Sequence, residues 1–300
     1  MEARALVSLA KRSVTKFIDD NAPSRAASLS YYTTFSLAPL LVIAVAVAGF
    51  VFGRQAVSGE LHRQLDGLVG DKGAQAIQDM MVSASRPGAG LLATIVGVVV
   101  LLLGATGAFV ELQDTLNAMW KVEKKKTSGV IGFLRARLLS FAMVGVIAFL
   151  LLASLAVSTV LSALGHFAED LLPGGELVAQ GLNLLVSIGV ITLLFASIYK
   201  VLPDKKIAWG DVWLGSLVTS VLFTIGKLLI GLYLGKGSVA SSYGAAGSFA
   251  ILLIWIYYSS MIMFLGAAFT QVYGEDRARR PRESSSAADQ ARAAQRVSHA

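Results

Sequence analysis

Residues 23–53 read PSRAASLSYYTTFSLAPLLVIAVAVAGFVFG, and this stretch decides the fold class. Its second half, Leu40 to Phe52, is almost purely aliphatic. Its first half carries Ser28, Ser30, Tyr31, Tyr32, Thr33, Thr34 and Ser36, with Pro39 at the join. About 20 apolar residues wound as a helix cross the roughly 30 Å of hydrocarbon in a bilayer. The stretch is therefore expected to span a membrane, with a first half too polar for a mere anchor. Pro39 has no N–H to give the carbonyl of Phe35, so a kink or local unwinding is expected there. Thr34 or Ser36 is then available to compensate the freed carbonyl.

The rest of the chain supports the same class. Of its 300 residues, 55% are hydrophobic and 15% charged, against about 25% charged in ordinary soluble domains, and its mean hydropathy is +0.66. The apolar residues gather into runs of spanning length. The expected fold is all-α: a polytopic membrane helix bundle of six transmembrane helices preceded by an amphipathic N-terminal helix. The spans fall at about 27–53, 90–112, 138–162, 177–200, 211–233 and 247–273. Residues 1–22 form the amphipathic segment, 23–274 the transmembrane domain, and 275–300 a polar tail expected to be disordered. The longest loop, 54–88, suits two short helices at about 55–69 and 72–84, the second with Ala76, Ile77, Met80 and Met81 as its apolar face.

Charge orients the bundle. The amino-terminal segment, the loops at 121–137 and 200–211, and the tail together hold about twenty of the 26 Lys and Arg. Cytoplasmic loops carry that excess in membrane proteins, so both termini are expected in the cytoplasm and the span number is even. Trp120, Trp209 and Trp213 fall at the same boundary, as an aromatic belt would. Residues 2–20 place Leu6, Val7, Ala10, Val14, Phe17 and Ile18 at helical spacing among Arg4, Lys11, Arg12 and Lys16. This pattern suits a helix lying in the interface with its basic face toward anionic headgroups, or one packed on a cytoplasmic surface. The first apolar run starts too late and runs too long for a secretory signal of about 7–15 apolar residues.

Several chemistries are excluded. The chain has no cysteine, hence no disulfide, thiolate metal site or cysteine nucleophile. His62, His166 and His299 are scattered, and no P-loop or dinucleotide fingerprint occurs. No catalytic residue, metal site or cofactor is expected, and the basic charge is assigned to orientation and lipid headgroups rather than nucleic acid.

Two polar zones remain. Glu111, Asp114 and Asn117 recur every third residue and so share one side of a helix. A carboxylate at the bilayer centre costs roughly 2.5–3.5 kcal/mol, so this side lies at the cytoplasmic headgroups or faces protein and water. Tyr31, Tyr32, Thr34, Ser36 and Pro39 belong to the same half of the membrane. If the first two spans are neighbours, the two zones make a polar vestibule; the alternative is hydrogen-bonded glue between helices. Trp255 and Ser259 lie on a stripe of the sixth span with Ser248, Gly266 and Thr270. Arg25, Arg135 and Arg137 are placed to attract anionic headgroups. Lys227 lies inside an apolar run, where its stem can snorkel.

Three stretches, RAASLSYYTTFSLAPLLVIAVAVAGFVFG, GATGAFVELQDTLNAMWKV and YGAAGSFAILLIWIYYSSMIMFLGAAFTQVY, resemble the YihY/BrkB family of bacterial inner-membrane proteins, over about residues 10–275. The resemblance implies a six-helix inner-membrane protein with cytoplasmic termini. Members were long labelled ribonuclease BN, a misassignment, and no clustered metal ligands here support phosphodiester cleavage. Some relatives are associated with serum resistance or with transport of lipid-like envelope molecules. The expected function is thus a non-enzymatic transporter of a lipid or other amphiphile, working from a cytoplasm-facing polar site. The alternative is a membrane scaffold or envelope-integrity factor.

Overall fold

The computed structural model describes residues 3–52, 58–59, 61–62, 71–84, 107–122, 175–236 and 247–298. Their regular structure is entirely helical: α1 (Ala3–Asp19), α2 (Ala22–Phe52), α3 (Asp71–Ala84), α4 (107–119), α5 (Gly175–Val201), α6 (Trp209–Lys236) and α7 (Gly247–Ser298). Three of these are long and apolar enough to cross a membrane: α5 over Leu184–Val201, α6 over Trp209–Ile230 and α7 over Phe249–Arg279. They coincide with the expected fourth, fifth and sixth spans. The first expected span lies on α2, the second is described only from residue 107, and the third lies outside the described residues.

α1 and α2 are separated by a sharp turn at Asn21, whose φ of 54° is left-handed. Asparagine tolerates that region better than most residues, and its N–H bonds the carbonyl of Ile18 at 2.9 Å. Pro23 then sits in the first turn of α2, where a missing N–H costs nothing. α2 continues past Pro39 to Phe52, and the expected hydroxyl compensation does not occur. Thr34 donates to the carbonyl of Ser30 at 2.7 Å and Ser36 to that of Thr33 at 3.1 Å. A hydroxyl reaches most easily back along its own helix, so neither serves Phe35.

α7 is the hub, packing against α1, α2, α3 and α6. Its contact with α6 is set by small residues: a Cβ on Gly266 would collide with Thr219 and the Tyr199 hydroxyl, and one on Gly215 with Thr270. Backbones therefore approach closely, the usual way helices associate in lipid. Tyr199 of α5, fully buried, closes the junction. Its hydroxyl donates to the carbonyl of Met263 at 2.6 Å and lies 3.2 Å from the Thr219 hydroxyl. The main core surrounds it, with Phe195, Leu116, Met119, Trp120 and Phe264.

At one end of the bundle Arg12 of α1 meets Asp276 of α7 at 2.5 Å, and Arg277 meets Asp211 of α6 at 3.2 Å. α1 and the far part of α7 therefore share one end of the bundle. Two expectations differ from this picture. Trp209 and Trp213 are about half exposed, but Trp120 is 2% exposed inside the core, so it is no belt residue. The segment from Glu275, expected to be disordered, continues α7 as helix to Ser298. Its Ala, Arg, Glu and Gln are strong helix formers, and extending an existing helix avoids the cost of nucleation.

Candidate functional site

α2 and α4 are neighbours. A Cβ on Gly107 would lie 2.7 Å from the Tyr32 ring, so the absent side chain lets that ring sit on the α4 backbone. Helix periodicity divides the polar half of α2 into two faces. Tyr31, Tyr32 and Phe35 are exposed by 56%, 38% and 44%, whereas Ser30, Thr34 and Ser36 are buried. The exposed rings form a ladder, with Tyr31 4.8 Å from Phe35 and Phe35 5.8 Å from Phe249 of α7. The buried hydroxyls spend their hydrogens on their own helix.

On α4 the acidic side behaves differently along its length. Glu111 and Asp114 are half-buried, beyond Gly107 on the same helix. Asn117 is nearly buried, and its amide is consumed by one partner. Its Nδ2 donates to Asp204 Oδ2 at 2.9 Å, and its Oδ1 accepts from the Asp204 N–H at 2.8 Å. One turn earlier, Gln113 donates to the carbonyl of Leu202 at 3.2 Å. Lys205 in return donates to the carbonyl of Trp120 at 3.2 Å. The end of α4 is thus bolted to the turn between α5 and α6.

That bolt is built locally. α4 is closed just past its end by Lys121, whose φ of 52° is left-handed. The N–H of Val122 reaches the carbonyl of Asn117 and that of Lys121 the carbonyl of Ala118, at 2.9 and 3.0 Å. This paired pattern is the Schellman closure of a helix. Asp204 and Gln113 are absent from the sequence-derived candidates. The available signals were two amides four residues apart on α4 and the Pro203-Asp204 turn.

The other candidates go elsewhere. Arg25 is half-buried, its Nε donating to the carbonyl of Asp20 at 3.3 Å. Trp255 and Ser259 line a crevice between α6 and α7 with Phe223 and Lys227. Trp255 also joins the cluster that includes Leu37 and Leu41, which flank the Pro39 junction. Arg135 and Arg137 lie outside the described residues, as does the side chain of Pro39. Among the described residues no group of three or more acidic or histidine side chains could hold a metal. What the α2–α4 corner offers is the exposed Tyr31 and Tyr32 on α2, with the Tyr32 ring on Gly107, and the half-buried Glu111 and Asp114 one and two turns farther along the same face of α4.

A family model described as Virulence factor BrkB matches residues 13–291. The chain belongs to the BrkB family. A UPF0761 membrane protein of Pseudomonas paraeruginosa is 28% identical over 254 residues, 84% of this chain and 59% of the relative. One of Ralstonia nicotianae is 31% identical over 255 residues, covering 83% and 55%. One of Actinobacillus pleuropneumoniae is 29% identical over 270 residues, covering 85% and 90%. The BrkB chain thus spans only 59% of the length of the first of these relatives. No solved structure matches it. The relatives are named as membrane proteins, in keeping with the three apolar helices of spanning length.

Proposed function

We propose that this BrkB-family protein moves or presents a lipid or other amphiphile, taking it from the cytoplasmic leaflet of a bacterial inner membrane. The observation that supports the reading is the seat of Tyr32 on Gly107, with the half-buried Glu111 and Asp114 one and two turns farther along the same face of α4. Half-buried carboxylates at the edge of an expected spanning segment are costly to desolvate, and an ionisable group there is a functional hypothesis by default. Exposed tyrosines suit the boundary between headgroups and chains, being apolar in body and polar at the tip. Cytoplasmic termini are part of the proposal, supported by the Lys and Arg distribution and by the Arg12–Asp276 pair.

The scaffold reading has its own observation: Asn117 is consumed by Asp204, and Thr34 and Ser36 by their own helix. Purified protein reconstituted with fluorescent lipids separates the two. Native protein is expected to accelerate lipid equilibration between leaflets, and Glu111→Gln and Asp114→Asn to lose that activity at normal abundance and thermal stability. Loss of abundance in step with activity, or no acceleration by native protein, favours the scaffold.

A further inference from the structure

We infer that the turn joining α5 to α6 is a docking site for an anionic phospholipid, whose phosphate meets Lys200 and whose acyl chains follow the exposed flank of α6. The inference rests on α5 and α6 crossing a membrane and not on transport. Lys200 lies in the last turn of α5, where the helix dipole favours a cation. Its ammonium is fixed in place: it donates to the carbonyl of Ile207 and stands 5.1 Å from the centre of the Trp209 ring. Neither contact removes its charge. Among the described residues no carboxylate pairs with Lys200, and the Ile207 carbonyl takes one of the three ammonium hydrogens. The two acids of the turn are directed elsewhere. Asp204 holds the Asn117 amide of α4, and Asp211 pairs with Arg277 of α7. Lys206, exposed in the same turn, adds a further positive charge.

The turn is also preformed. Leu202 and Ile207 are buried, and Lys205 donates to the carbonyl of Trp120. A site assembled before its ligand arrives loses little in ordering. Trp209 and Trp213, four residues apart, share one side of α6, and both rings are about half exposed. Indoles of this kind favour the level of the headgroups, apolar in body with one polar edge. Leu217 and Val221 continue the same row and are exposed as well. From Trp209 to Val221 the axis rises about 18 Å. One leaflet contributes about 15 Å of the hydrocarbon layer, so the row matches the depth of an acyl chain. Helices that associate in lipid use small residues at their contact. This row has none, and the nearby Gly215 and Gly226 are already used against α7. Charge at the top and bulky side chains below therefore suit a lipid better than a second copy of the chain.

The test is native mass spectrometry of the full chain in detergent, titrated separately with dioleoyl phosphatidylglycerol, dioleoyl phosphatidylcholine and inorganic phosphate. Native protein is expected to retain phosphatidylglycerol in preference to phosphatidylcholine. Lys200→Gln should weaken phosphatidylglycerol retention about fivefold, the worth of one cation at an anionic surface. Phosphatidylcholine retention should stay level, whereas a loosened fold would lose both lipids alike. Lys200→Arg should keep the preference. Trp213→Ala removes an exposed ring and leaves every charge in place. It should weaken phosphatidylglycerol retention too, and covers the case in which Lys200→Gln does not fold. Equal retention of the two lipids, or undiminished retention in folded Lys200→Gln or in Trp213→Ala, overturns the inference. So does displacement of phosphatidylglycerol by inorganic phosphate, or a dimer that Trp213→Ala dissolves. A failure of lipid movement in the Glu111→Gln comparison leaves these outcomes untouched, because binding in detergent requires no transport.

Discussion

Asn117 fastens the end of α4 to the turn between α5 and α6 through both atoms of its amide. Asn117→Asp sets a second carboxylate against Asp204 Oδ2, now 2.9 Å from the amide nitrogen. It is expected to cost about 1–3 kcal/mol, the range for stranding a buried polar group. Adding Asp204→Asn should return most of the loss, because donor and acceptor have merely exchanged sides. Thermal unfolding of the two single variants and the double variant in detergent reads the cycle. Gly266→Ala is expected to cost about 1–3 kcal/mol by overpacking against Thr219 and Tyr199. Thr219→Ala beside it should recover part of that. Gly189→Ala is the matched control: nothing lies within 4 Å of the added methyl, so helix propensity alone predicts a gain of up to about 1 kcal/mol. Lys121 holds a left-handed φ of 52°, a conformation costing a non-glycine residue about 1–2 kcal/mol. Lys121→Gly is therefore expected to raise the unfolding temperature, and Lys121→Val to lower it.

Among the elements, α1 shows how one helix serves two surfaces. Leu9, Ser13 and Phe17 are buried, whereas Val7, Val14 and Ile18 are 68%, 47% and 59% exposed on the adjoining stripe. The basic residues divide as well. Arg12 pairs with Asp276 and Lys16 with Asp20, leaving the exposed Arg4 and Lys11 beside the apolar stripe. Packing and interfacial lying are thus compatible, each using its own stripe. In vesicles, spin labels at Val7 and Val14 are expected to be relaxed by oxygen dissolved in lipid, and a label at Thr15 by an aqueous nickel chelate. Chelate access at all three positions would show that the exposed stripe meets water. Replacing Phe17 with Ala should instead loosen α1, since that ring belongs to the core.

For the whole molecule, the ionic ties Arg12–Asp276 and Arg277–Asp211 gather α1, α6 and α7 at one end. Reporter domains fused to the two termini are expected on the same side of the membrane, and both in the cytoplasm; opposite sides would break the proposed topology. The pairs are partly solvated, so each is worth about 0–1 kcal/mol and fades with salt. Small-residue packing at Gly215 and Gly266, not charge, holds the helices together. Sequence alone determined the helical class, the positions of α5, α6 and the spanning part of α7, and the family, because spanning length and apolarity are properties of a continuous run of residues. It also marked Glu111, Asp114, Asn117 and the tyrosines as unusual, since a polar group in an apolar run stands out locally. It did not reveal that Asn117 serves Asp204, that Trp120 is buried, that α2 divides its hydroxyls from its tyrosines, or that Trp255 and Ser259 join Lys227 rather than Glu111. Those assignments depend on which helix faces which, and helix pairing is decided by side-chain packing between segments far apart in the chain.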